Sequence, residues 1–217
     1  MNWHGGAAST RSVVAAAVPI FVLFLAATAV AADSPDLFPA PSPHMIGPTV
    51  PAPSYGAMFV KGWVPLTGAE VVLLGITATL PKNWTGWSPH FVRDGVTHLG
   101  EAYTKPPVWD DDWWFHNYVG HPYGGSVYYN TVRCQGASVV QSMVFSAALS
   151  VQWEFVFEAV AERPSTQDLI ITPVVGSVLG ELTHRLAIHL ERGGTTPLEK
   201  VIIAVTNPAH AIFRGFH

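Results

Sequence analysis

Three consecutive stretches of the chain carry a polar or small residue at every fourth position, and this repeat restricts the fold more than any other feature. In residues 110–133 the stripe is Asn117, His121, Gly125, Tyr129 and Arg133. In residues 136–162 it is Ser138, Ser142, Ser146, Ser150, Glu154, Glu158 and Glu162. In the third stretch it is Asp168, Thr172, Gly176, Gly180 and His184. Residues four apart advance about 40° round a helix, so each stripe drifts slowly across one face. It follows the ridges that interlock when helices cross in their commonest packing. Serine and glycine on such a ridge let backbones approach, and Gly176-Ser-Val-Leu-Gly180 is the small-xxx-small pattern of close crossings in membranes. The expected fold is all-α: a compact bundle of about five helices, some kinked at proline, meeting along hydrophilic seams.

The breaks between these helices are readable from capping and proline chemistry. The acidic run Asp110-Asp111-Asp112 opens the first helix where the helix dipole favours negative charge. Pro122 lacks a backbone donor and predicts a kink near His121. A very short connection after Arg133 makes the first two helices an antiparallel hairpin. Pro164 ends the second, and Ser165-Thr166-Gln167-Asp168 is a capping box, with Asp in place of Glu, that starts a helix to about Leu190. Gly193-Gly194 stops it; Thr196-Pro197-Leu198-Glu199 starts a last helix that Asn207-Pro208 breaks. Upstream, residues 66–80 lie between Pro65 and Pro81 and predict a short buried or interfacial helix, while residues 82–107 read as loop.

Apolar residues make up 49% of the chain and charged ones 12%, a balance that leans towards contact with a membrane. A net charge of −4 leaves no basic footprint for nucleic acid. One cysteine, Cys134, excludes an intrachain disulfide and the Cys₂His₂ and Cys₄ zinc sites. Arg11, the apolar residues 13–30 and Ala29-Val30-Ala31 form an export signal, with an uncleaved anchor as the competing reading. Prolines at 35, 39, 41, 43, 48, 51 and 53 make an extended spacer. The expected organisation is a signal over 1–32, a proline-rich linker over 33–65 and a helical domain over 66–217. Trp84, Trp87, Trp109, Trp113 and Trp114 lie close in sequence, either at the headgroup level of a membrane or capping the core.

The acidic part of the second stripe points beyond packing. Glu154, Glu158 and Glu162 share a face beside apolar Phe155, Val156 and Phe157, and like charges four apart destabilise an isolated helix. Partly buried, they require a donor, a cation or a proton. With equal rise per residue, the hairpin brings His121 opposite residue ~148 and Asn117 opposite ~152. Folding back at Pro164 brings Thr172 level with ~156 and Gly180 with ~148. The resulting layer holds His121, Asn117, Ser150, Glu154, Glu158, Thr172 and Glu181, with Asp168 on the third stripe and Arg133 at the opposite end. Glu181-Leu-Thr-His184 is half of a carboxylate-bridged two-metal motif, but its second copy is missing, so metal binding at Glu181 and His184 is the lesser reading.

Two functions fit. The first is a structural or interaction module whose polar layer fixes a unique packing, since no Gly-x-Ser-x-Gly, His-Glu-x-x-His or phosphate loop occurs. The second is an envelope hydrolase acting on lipid or cell-wall material. There His121 is the general base, Glu154 or Glu158 orients it or ligates a metal, and Asn117 steadies an oxyanion.

Asn117-Tyr-Val-Gly-His121-Pro122-Tyr, Tyr128-Tyr129, Arg133, Trp153-Glu154, Glu162-Arg-Pro164-Ser165-Thr-Gln-Asp168, Thr172-Pro173 and Gly180-Glu181 together resemble the bacterial domain family DUF3943. The resemblance spans roughly residues 110–213, about half the chain. It implies an exported protein of the periplasm or outer membrane of a Gram-negative-type bacterium, with membrane or envelope components or a protein as partners. No activity or cofactor comes with it.

Overall fold

A computed structural model describes residues 53–88, 90–109 and 112–216. The export signal, most of the proline-rich spacer, Asp110, Asp111 and the histidines at 4, 44 and 217 lie outside the described residues. Within them the fold is all-α. Its only ladder pairing among the described residues is an isolated parallel bridge, Val108 to Ser165.

Helix α1, Tyr55–Thr77, begins at Ser54, whose hydroxyl accepts from the Ala57 amide. Pro65 lies inside α1 rather than bounding it. The ring is on the exposed side, so the carbonyl it leaves unbonded turns to the outside and the helix continues. Residues 82–107 are likewise not loop: α2, Lys82–Thr85, and α3, Phe91–Thr104, occupy most of them. Short α2 ends at Gly86, whose φ of 72° is a left-handed conformation that suits glycine. The polar pattern of α3 buries only Gly95 and Ala102, too little apolar surface to signal a helix.

Pro122 has its expected effect in a specific form. The turn before it, His116–Gly120, widens to a π-helix in which the His121 amide bonds the His116 carbonyl. A π-turn absorbs the missing donor without ending the helix. Helix α4, His121–Arg133, follows directly. Helix α5, Val139–Gln152, opens on a complete capping box of Ser138 and Gln141. It does not run to Glu162: a second π-turn, Trp153–Phe157, and a 3₁₀ turn, Glu158–Val160, replace its last turns. Helix α6, Asp168–Glu191, carries Pro173 in its second turn. Helices α7, Pro197–Thr206, and α8, Pro208–Phe213, share Asn207 at their junction, and its side chain accepts from the His210 amide to cap α8.

The three stripes meet. Helices α4 and α6 run parallel, with Gly125 against Gly176: a Cβ on Gly176 would lie 2.6 Å from Gly125 Cα. One on Gly180 would lie 2.6 Å from the Tyr129 ring. Helix α5 lays its serines over this crossing, Ser146 donating to the Gly125 carbonyl at 3.0 Å and Ser150 to the Asp168 carbonyl at 3.4 Å. On the other side of α4 and α5, Met58 of α1 packs with Tyr128, Val132, Ala137, Phe145 and Leu149 in the apolar core.

Two described helices are long and apolar enough to cross a membrane, Tyr55–Thr77 and Val139–Val160. They differ in where they face. The most apolar window of the second is 44% buried, as befits a core helix, and that of the first only 11%. Val60, Val64, Val71, Val72, Leu73 and Ile76 of α1 are exposed.

Candidate functional site

The two π-turns flank one polar cluster. His121 leaves the first; Glu154 sits inside the second and is 1% exposed. His121 Nδ1 is 3.0 Å from Thr172 Oγ1, and its Nε2 is 3.7 Å from Asp168 Oδ2. His121, Glu154 and Asp168 each bring one ligating atom within 4.8 Å of the others. Glu154 is held by the Ser165 amide, which donates to Oε2 at 2.7 Å. In the capping box, Ser165 Oγ accepts from the Asp168 amide at 3.1 Å. The reciprocal bond comes from Glu154, since Asp168, one methylene shorter than Glu, turns to His121 instead.

Through His121 and Thr172 this cluster borders one end of a cavity of about 480 Å³ between α1 and α4. Leu66, Leu73 and Ile76 of α1 and Val127 of α4 give it apolar walls. His116, His121, Thr172, Ser150, Glu158, Glu70 and Asp112 are among the polar residues of the lining, which contains neither Lys nor Arg. Glu158 accepts from the Trp153 indole at 2.6 Å. Burial, and then the neighbouring Glu154 and Glu162, hold its carboxyl well above the usual carboxylate range. Burial also raises Glu70, against smaller opposing hydrogen bonds that include Gln152 Nε2. A polar end built this way favours a neutral or cationic group and disfavours an anion.

Five members of the expected layer come together here: His121, Ser150, Glu154, Glu158 and Thr172. Asp168 joins them. Asn117 is buried in the first π-turn, one turn before His121, and is not among the residues lining the cavity. Glu181 is not in this layer, because α6 starts only after a non-helical stretch and is displaced along the bundle. It lies about 13 Å further along α6 than Thr172 and pairs with Arg133. There it accepts from Tyr129 Oη at 2.7 Å, Arg133 Nε at 2.9 Å and Arg185 Nε at 2.9 Å. Burial pushes its carboxyl up, but these bonds, Arg133 first, bring it below the ordinary value. Two guanidiniums on one carboxylate leave it poorly suited to a cation, so Glu181 and His184 do not form a shared metal site.

His184 faces elsewhere. Its Nδ1 is 3.6 Å from Cys134 Sγ, and Cys134, His184 and His210 bring ligating atoms within 4.8 Å of one another, all buried. Burial lowers His184 to a pKa of about 3 and raises the Cys134 thiol to about 12. His210 showed no partner in the sequence, because only the turn at Asn207-Pro208 brings it back against the end of α4. Ser165, Glu70 and Asp112 were also missed, since each enters through tertiary contact rather than a stripe.

No curated protein and no solved structure matches this chain. Residues 106–209 match the model of DUF3943, a domain of unknown function, and this part of the chain belongs to that family.

Proposed function

We propose that the domain is a membrane-associated module of the bacterial cell envelope that binds an amphiphile between α1 and α4. Supporting the envelope are the export-signal pattern of residues 1–32 and the apolar outer face of α1. Glu70, Gln152, Glu154 and Glu158 on the inward faces favour a bundle resting at the bilayer surface over one that crosses it. The observation that carries the reading is the cavity, apolar along its walls, with acidic side chains and the imidazoles of His116 and His121 in its lining. An alkyl chain would lie against Leu66, Leu73 and Ile76, with a neutral or cationic head near Glu158 and His121.

Trp87 and Trp153 line the cavity and report occupancy by fluorescence. Dodecyltrimethylammonium below its micelle concentration is expected to change that fluorescence saturably, and dodecyl sulfate is not. Gly124 is on the cavity wall with nothing within 4 Å of a Cβ, so Gly124→Leu should fill the space and abolish the change. Equal response to both amphiphiles, or an unchanged response in Gly124→Leu, would refute the reading. Export is tested separately by sequencing the mature N-terminus, expected within a residue of Asp33.

A hydrolase is the second reading, favoured by the imidazole of His121 lying between Thr172 and Asp168. His121 would take a proton from water, with Asp168 and Thr172 rather than a glutamate orienting the ring. Activity on an alkyl ester lost in both His121→Asn and Asp168→Asn, with amphiphile binding retained, would support it. Absence of any turnover by the parent would end it.

A further inference from the structure

The second cluster, remote in composition from the acidic cavity, has the donor set of a metal centre. We propose that Cys134, His184 and His210 form a site for a thiophilic transition-metal ion of the zinc or copper class. The three come from different elements: the residue after α4, the C-terminal half of α6 and α8. One thiolate and two imidazoles are a set that selects zinc or copper over magnesium or calcium. A tetrahedral zinc with bonds of ~2.3 Å to sulfur and ~2.05 Å to nitrogen separates those two ligands by about 3.6 Å. Cys134 Sγ and His184 Nδ1 are 3.6 Å apart.

A thiol–imidazole hydrogen bond could have that length as well, so His210 is the deciding residue. It is fully buried, and neither of its ring nitrogens makes a hydrogen bond among the described residues. Its Nε2 lies 2.9 Å from Glu191 Oε1, a carboxylate that is itself buried. A metal-bound histidine is characteristically held this way, one nitrogen on the ion and the other facing an outer carboxylate. Leaving a ring nitrogen unbonded in the interior is costly, and an ion removes that cost. Asn207, 3.8 Å from Cys134 Sγ, is placed beside the fourth position. Bound metal would fasten α8 to the ends of α4 and α6.

The test is titration of the purified full chain with cobalt(II) alone, as a spectroscopic stand-in for zinc(II). One equivalent should bind with a thiolate-to-cobalt charge-transfer band and the d–d bands of a tetrahedral site, and zinc(II) or copper(I) should displace it. Glu191→Gln should weaken binding by about 10–100-fold, as loss of an outer partner does. Cys134→Ser should remove the band, and His121→Asn should leave it intact. In the unaltered chain, metal should slow amide exchange in α8, a measurement that needs no variant to fold. No uptake by the folded parent would overturn the proposal. So would cobalt bound without the thiolate band and lost in His121→Asn, which would place the ion in the acidic cluster.

Discussion

Gly176→Ala is the most direct test of how the bundle is held together. The new methyl would lie 2.6 Å from Gly125 Cα, 2.7 Å from Gly125 C and 3.0 Å from Ser126 N. All three neighbours are backbone, so no side chain can swing aside. Ordinary contact begins at 3.4 Å, and α4 and α6 would have to part by about 0.8 Å. A gap of that size forfeits about a quarter to a half of the dispersion well along the seam, and overpacking of this kind costs about 1–3 kcal/mol. The same movement lengthens the 3.0 Å contact of His121 with Thr172 beyond hydrogen-bond range, at a further cost of about 1 kcal/mol. Against this, alanine is the better helix former by about 1 kcal/mol. The net is a loss of about 1–3 kcal/mol, or roughly 3–10 °C in Tm for a domain of this size. Gly124→Ala is the control, on the facing helix α4 with open space around its Cβ; there only the propensity term acts and Tm should hold or rise. Thermal unfolding followed by circular dichroism gives both numbers. If Gly176→Ala were as stable as Gly124→Ala, the close backbone crossing would not exist and the argument from the stripes would fail.

Three other outcomes follow from the same geometry. Glu158 binds its proton more tightly folded than unfolded, so its contribution is full below about pH 4 and is lost as pH rises through its raised value. Urea unfolding from pH 4.5 to 8 should therefore show Glu158→Gln gaining stability over the parent as pH rises; a pH-independent difference would refute the assignment. Arg133→Ala strips two hydrogen bonds from buried Glu181 and should cost about 3 kcal/mol, reduced because Arg185 and Tyr129 remain. Arg133→Met with Glu181→Leu should recover most of that in chemical unfolding, and failure to do so would mean the pair is needed for more than charge balance. Trp113 and Trp114 are exposed, so replacing both by Ala should lower partitioning into phosphatidylglycerol-containing vesicles about tenfold in a flotation assay, with Tm unchanged.

What the sequence made legible was the set of faces, and what it hid was their register. Gly125, Gly176, Ser146 and Ser150 could be assigned to buried seams because a four-residue period survives as long as the helix does. Register depends on the connections. Between α4 and α5 the connection is short, and equal-rise counting placed Gly125 within a residue or two of Ser146, where it is found. Between α5 and α6 the counting assumes an unbroken helix to Pro164, but residues 153–167 pass through a π-turn, a 3₁₀ turn and an isolated bridge at Ser165. Each advances the chain differently from α-helix. Ser150 therefore meets Asp168, and Glu181 is carried away from His121 to Arg133.

The break at residues 153–167 and the cluster beside it have one cause. The capping box at Ser165 is locally incomplete, because Asp168 is too short to reach back to the Ser165 amide while also facing His121. Glu154, inside the π-turn, supplies the missing acceptor. The same bond holds Glu154 beside His121 and Asp168, so that an imidazole meets two carboxylates. The irregular turn, which no periodicity could announce, therefore carries the one side chain that joins the start of α6 to the cluster around His121.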